Sequence, residues 1–202
     1  MLSSGHPFYE FEKTIVNHFP DAWLTFSKYY SKDYGSTAHR ESIEVKSSDI
    51  TLLWVENLLA SLKNEQDLAV HSKIRIGENV FHIPMIDFLN INNLDLSIQE
   101  LLTRSSENNK DLFEKILQKL FIYSSGRSLH GYSYILLNEE KWHKYLGDLL
   151  LLNSSSLKGI IDSRWVGHSL VNGYSALRWS LNSESYKSVP SRISDINVES
   201  FA

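Results

Sequence analysis

The chain reads as an α+β protein, a mixed β-sheet with flanking helices. Three observations predict this class. Apolar residues recur at helical spacing in several separate segments, other segments alternate or run apolar over strand lengths, and the two kinds interleave without a long linker, repeat or low-complexity block. At 202 residues, with 42% hydrophobic and 12% aromatic side chains, the chain can bury a substantial core and is not of disordered composition. A single domain over residues 1–202 is expected, with a helical and strand portion at 1–66 leading into a core at 67–192.

Phe8, Phe11, Ile15 and Phe19 share a helix face, and Pro20 closes that segment. Ser42 to Lys46 alternates as a strand does. Ser47, Ser48 and Asp49 are good N-caps, and Ile50, Leu53, Trp54 and Leu58, with Asn57 interrupting, give the helix that follows. Lys73–Ile76 and Val80–Phe88 predict a hairpin around a Gly77-Glu78-Asn79 turn. Ser97-Ile98-Gln99-Glu100 has the capping-box pattern, and Leu112, Phe113, Ile116, Leu117 and Leu120 mark an amphipathic helix. A strand follows, with Leu129, Ser133 and Ile135 alternating against His130, Tyr132 and Tyr134. Trp142, Tyr145, Leu146, Leu149 and Leu150 then form a helix that packs on the sheet.

Three of these segments carry chemistry. In Ser124-Ser125-Gly126-Arg127-Ser128-Leu129-His130, a glycine turn delivers a cation, a hydroxyl and an imidazole onto one stretch. In an extended strand Ser128 and His130 project to the same face while Leu129 packs behind them. That layout suits an oligophosphate, with Arg127 able to fork onto its oxygens. A β-turn followed by a half-buried strand is the plainer reading of this segment alone. The second segment, Phe81 to Phe88, is a mostly apolar run approaching Asp87. The third, Gly159-Ile160-Ile161-Asp162, repeats the pattern with Asp162. Two aspartates at the ends of buried strands make a pair suited to a hard divalent cation, which takes oxygen ligands and the substrate's own phosphates.

In their order and spacing these segments resemble the archaeo-eukaryotic primase and primase-polymerase superfamily. Ile86-Asp87 is similar to the start of that family's first motif, a hydrophobic strand ending in Asp-x-Asp. Ser128-Leu129-His130 is similar to its serine-x-histidine motif, and Ile161-Asp162 to its hydrophobic-aspartate motif. The stretch from Ala176-Leu177-Arg178 to Val189-Pro190 resembles the family's tail. The resemblance covers roughly residues 70–192. It implies an RNA-recognition-motif-like core and a nucleotidyltransferase that binds nucleoside triphosphate with Mg2+ or Mn2+. Asp87 and Asp162 would be the catalytic metal ligands, and Arg127, Ser128, His130, Arg178 and Lys187 would contact the nucleotide. The implied partners are a nucleic-acid template or primer and a helicase or accessory protein, as in DNA replication.

The sequence departs from the family at Leu89, where the first motif places its second aspartate, and at Ser180, where the tail has proline. With one bridging carboxylate missing, a two-metal arrangement loses a ligand. A catalytically impaired nucleotide-binding or nucleic-acid-binding subunit is therefore the alternative, and a purely structural interaction domain is a third reading. Asn90, Asn92 and Asp95 are candidates to replace the missing carboxylate.

The net charge of −4 argues against strong non-specific affinity for nucleic acid, which comes from cations displacing counterions. The acidic excess lies in residues 1–120, with 12 basic against 17 acidic side chains. The chain has no cysteine, which excludes disulfides and thiolate zinc sites. Without a signal-like N-terminus or a membrane-length apolar run, it is expected in the cytoplasm. His39, His71, His82, His143 and His168 lack metal-ligand spacing and read as structural or surface residues. Trp165 and Trp179 read as core, with base stacking the sharper alternative.

Overall fold

A computed structural model describes residues 2–30, 40–89, 110–153 and 159–193. It has the α+β architecture, and its strands divide into two sheets in which every pairing among the described residues is antiparallel. No described helix is long and apolar enough to cross a membrane.

The chain opens with a short helix α1 (Phe8–Phe11) that continues as a wider-wound turn over Glu12–Val16. The first sheet is built from β1 (Trp23–Tyr30), β2 (Glu41–Lys46), β3 (Gln66–Ile76), β4 (Asn79–His82), the two-residue β8 (Leu137–Asn138) and β9 (Ala176–Arg178). Its order is β2-β1-β3-β4-β8, with β9 pairing beside the first half of β3. Between β2 and β3, α2 (Leu52–Ala60) starts at Thr51, whose hydroxyl accepts from the Trp54 N–H at 3.1 Å. The expected caps Ser47 to Asp49 instead form a separate 3-10 turn.

The second sheet has the order β10-β6-β7-β5, from β5 (Met85–Phe88), β6 (Leu120–Ser124), β7 (Leu129–Ser133) and β10 (Ser191–Arg192). The expected hairpin strand from Val80 to Phe88 is therefore two strands in two sheets. Pro84 explains the break, because it lacks the N–H that a continuing ladder would need. The Ile83 N–H bonds back to the Ser72 carbonyl of the first sheet at 2.8 Å, while the Pro84 carbonyl accepts from Ser133 of the second at 3.0 Å. The chain thus crosses between sheets at that dipeptide.

Helices α3 (Lys110–Gln118), α4 (Glu139–Leu151) and α5 (Ser163–Asn172) complete the described fold. The helix expected around Leu112 is α3; Leu120 falls in β6, and the capping box at 97–100 lies outside the described residues. Alternation in the second sheet feeds two cores. Met85, Tyr123 and Tyr132 join the core under the first sheet with Phe11, Phe26, Val70 and Trp179. Ile86, Phe88 and Ile122 point the other way, into a core with Phe113, Trp142, Leu146 and Val166 of the helices. Tyr145 of α4 also donates to the Met85 carbonyl at 2.9 Å, tying the helix to β5.

One buried polar knot fixes the segment after β9. Asp67 of β3 is fully buried and accepts from Ser180 Oγ at 2.6 Å, from the Asn182 N–H at 3.0 Å and from Ser183 Oγ. Ser180 Oγ in turn accepts from the Leu68 N–H at 2.8 Å. The Ser180 hydroxyl makes this attachment by bonding both Asp67 and the Leu68 N–H. Asp67→Ala strands two hydroxyls and an N–H in the interior, so urea denaturation should show a loss of about 3–5 kcal/mol.

Candidate functional site

In the second sheet, Asp87 lies directly opposite His130 in the β5–β7 ladder, so both side chains leave the same face. The other edge of β5 meets the segment before α5. Phe88 bridges Ile161, the Asp162 N–H donates to the Asp87 carbonyl at 2.9 Å, and the Leu89 N–H donates to the Ile160 carbonyl at 2.9 Å. That register places Asp162 across from Asp87. Three stretches distant in sequence thus bring two carboxylates and an imidazole onto neighbouring backbones.

The β6–β7 hairpin supplies the hydroxyl. Its loop is closed by the Ser125 N–H to the Ser128 carbonyl at 3.0 Å, and Ser125 Oγ lies 2.8 Å from Ser128 Oγ. Gly126 sits at φ +97°, a conformation that disfavours any side chain, and a Cβ there would approach Ser188 Oγ and Lys187 Cβ to 2.8 Å. The loop is therefore pressed against the segment 187–188. Ser128 also hydrogen-bonds the Asp87 carboxylate.

These residues border a cavity of about 320 Å³ lined by Asp87, Ser125, Arg127, Ser128 and His130 on one side. Tyr29 and Arg40, residues 176–178 around β9, and Ser185 and Tyr186 line it elsewhere, with Trp165. The β1–β3 and β3–β9 registers put Tyr29, Asp67, Ala69 and Arg178 on one face of the first sheet, with Phe26, Val70 and Leu177 on its core face. Residues of both sheets therefore border the cavity.

Electrostatics follow from burial. Desolvation, with the neighbouring Asp162 charge adding to it, raises the Asp87 pKa to about 7 against the partial relief of the Ser128 hydrogen bond and the Arg178 charge; its Oδ1 is buried without a partner. Desolvation and then the Arg178 charge lower His130 to about 3, although its hydrogen bond to the Arg178 backbone opposes the shift. His130 is thus a neutral imidazole near neutral pH, with Nδ1 buried and unpaired. It offers a hydrogen bond rather than a standing positive charge.

The other sequence candidates divide. Arg127 is exposed at the cavity edge. Arg178 is buried, and its guanidinium is committed to the carbonyls of Ser180, of Ser125 at 2.9 Å and of Ser188 at 3.0 Å, while lying 4.0 Å over the Tyr186 ring. It supplies field to the cavity and a clamp to its walls. Lys187 is exposed and does not line the cavity. Asp162 is also absent from the lining; its Oδ1 accepts from the Arg164 N–H at 2.9 Å and the Trp165 N–H at 3.3 Å, capping α5.

Leu89 is 39% exposed beside Gly159. Asn90, Asn92, Asp95 and His39 lie outside the described residues. His71 and His82 are buried, stacked on Tyr174 and Trp142 at 4.0 and 4.1 Å, while His143 and His168 are exposed. Trp179 is buried core; Trp165 is half-buried at the cavity, its indole N–H donating to the Ala176 carbonyl at 2.9 Å.

Tyr29, Arg40, Ser125 and Tyr186 belong to the cavity without having been singled out in the sequence. Asp67 was legible by the rule that selected Asp87, as a lone acid inside Gln66-Asp67-Leu68-Ala69-Val70. Tyr29 and Arg40 belong to no motif, and only the sheet pairing reveals them. As to metal, the described residues contain no group of three or more histidine or acidic side chains able to hold an ion. Asp87 and Asp162 nevertheless fit as a hard-oxygen pair. Like charges directly opposite across strands are destabilising, one oxygen is orphaned, and a cation whose shell is completed by phosphate oxygens would relieve both.

The raised Asp87 pKa has a stability consequence. The folded state holds this proton more tightly than the unfolded chain, whose value is near 3.8, so stability falls as pH rises from about 4 through about 7. Asp87→Asn abolishes that decline. In metal-free buffer the variant should melt roughly 5–10 °C above wild type at about pH 8, and the advantage should vanish at about pH 4.

Comparison with known proteins finds one family over most of the chain. The model of the AEP-like family, described as archaeo-eukaryotic primase 1D-like, matches residues 46–191, a span that contains Asp87, Ser128, His130 and Asp162. No curated protein and no solved structure gives a significant match. With well over half of its length matched in this way, the chain belongs to the archaeo-eukaryotic primase-like family.

Proposed function

We propose that the protein is a primase-polymerase-like nucleotidyltransferase, which binds a nucleoside triphosphate and synthesises or extends a nucleic-acid strand. The observation that carries this reading is the Asp162–Asp87–His130 juxtaposition across adjacent strands, with Ser128 bonded to Asp87 at the edge of one cavity. The volume of about 320 Å³ lies at the lower end for small-molecule sites.

In this reading the Ser128 hydroxyl and the Arg127 guanidinium supply donors to the triphosphate tail, and His130 orients it through a neutral ring. Asp87 and Asp162 are the residues that would hold Mg2+ or Mn2+, which when bound neutralises charge on the phosphate oxygens. The reaction is in-line attack of a 3′-hydroxyl on the α-phosphate, with pyrophosphate leaving, and positioning plus charge neutralisation supplies most of the acceleration. A helicase or accessory chain would open or present the template.

Leu89 favours a second reading. In place of the family's second acid it gives an exposed aliphatic side chain, so the protein can be a nucleotide-binding subunit without catalysis.

Primer extension with manganese or magnesium separates the two. The enzyme should lose about 10²-fold or more of its activity in Asp87→Ala and in Asp162→Asn, the latter chosen because asparagine still caps α5. Extension that survives both changes rejects the assigned pair. If wild type does not extend but binds ATP, and His130→Ala weakens that binding about tenfold, the subunit reading holds. Leu89→Asp should then raise extension, since one missing ligand limits the chemistry.

A further inference from the structure

Tyr29 and Arg40 line the same cavity as Asp87, Ser128 and His130, yet both precede residue 46, where the family match begins. The part of the chain ahead of the match therefore contributes a cation to the site. Its guanidinium lies 4.7 Å over the Tyr29 ring and is tethered by Nη1 to Ser27 Oγ at 3.2 Å. Ser27 pairs with Ala69, and Ala69 with Arg178, so this tether sits on the cavity-facing side of the first sheet.

Tyr29 is itself fixed, with its hydroxyl 3.1 Å from that of Tyr186, whose ring is covered by Arg178. Arg40 is therefore held at both the ring face and one nitrogen, which lowers the entropy lost when its fork engages a ligand.

The three cavity arginines differ in what they have left to offer. Arg178 spends both Nη atoms on backbone carbonyls. Arg127 is exposed on a loop. Arg40 is half-buried and, among the described residues, pairs with no carboxylate and uses one of its five N–H donors, on Ser27 Oγ. A half-buried, braced guanidinium beside a cavity is complementary to a phosphate oxyanion.

We propose that Arg40 is a phosphate-binding residue of this cavity, engaging the triphosphate tail from the first-sheet wall while Arg127 and Ser128 engage it from the hairpin. This deepens the nucleotide reading and rests on it. The site then grips the tail from two walls, and one grip comes from residues outside the family-matched span.

The test compares binding of ATP, inorganic tripolyphosphate and a single-stranded oligothymidylate to wild type, Arg40→Ala and Arg40→Lys. ATP and tripolyphosphate should each bind about tenfold more weakly to Arg40→Ala, with partial recovery in Arg40→Lys because a point charge lacks the fork. Oligothymidylate affinity should stay unchanged, and the melting temperature should fall by no more than about 2–4 °C, the cost of the lost Tyr29 and Ser27 contacts. If the oligonucleotide weakens and ATP does not, Arg40 serves the strand backbone and the proposal is overturned. Equal ATP and tripolyphosphate binding in wild type and both variants also overturns it, leaving the nucleotide site standing. Failure of wild type to bind either ligand removes the nucleotide reading and this inference together.

Discussion

The site depends on one piece of backbone pairing, the junction of β5 with β7 on one edge and with residues 160–162 on the other. Ladder hydrogen bonds on the two sides of a four-residue strand set Asp87 opposite His130 and opposite Asp162. Nothing in the local chemistry favours that gathering. Two acids face each other, one carboxylate oxygen has no partner, and an imidazole is held neutral. The arrangement persists because Ile86 and Phe88, alternating with Asp87, are fully buried among the helices, and each such side chain contributes about 1.5–3 kcal/mol. Hydrophobic burial on one face of the strand holds electrostatic strain on the other.

A second layer of support is polar. Arg178 joins the hairpin loop at Ser125 to the segment at Ser180 and Ser188, and Asp67 fastens the same segment to β3. Together they shape the cavity without any side chain having to meet a ligand. This is a common division of labour, in which charged residues buried against backbone carbonyls position the groups that do the chemistry. It also separates two residue types that look alike in a primary structure: an arginine whose two Nη atoms are bonded to backbone carbonyls, and one tethered through one nitrogen to a serine hydroxyl.

Much of this was legible in the sequence where local signals are strong. The helix around Trp142, the hairpin turn at Gly77, the strand after Gly126 and the three acid or serine-histidine segments all carry periodicity or turn chemistry that survives folding. Strands β1, β6 and β9 were not read, because buried strands in a two-core protein lack clean alternation against a polar face. Helix α5 was hidden because Asp162 was weighed as a ligand and not as an N-cap, although Asp162-Ser163-Arg164 satisfies the capping rule. Tyr29 and Arg40 could not be read at all. Their place at the cavity is set by long-range strand pairing, which leaves no trace in neighbouring residues.

The passage of the chain between sheets at Ile83-Pro84 sets where length variation can be tolerated. A single-residue insertion or deletion between His82 and Met85 would shift β5 by one position and exchange its two faces. Asp87 would then turn into the apolar layer under the helices, and Phe88 would turn into the cavity. The tip of the preceding hairpin at Gly77-Glu78 is different, because a residue added in the turn leaves the β3–β4 register intact, so lengthening there leaves the frame of the acid undisturbed. Among relatives that keep Asp87, natural gaps should collect at the tip and avoid the crossing.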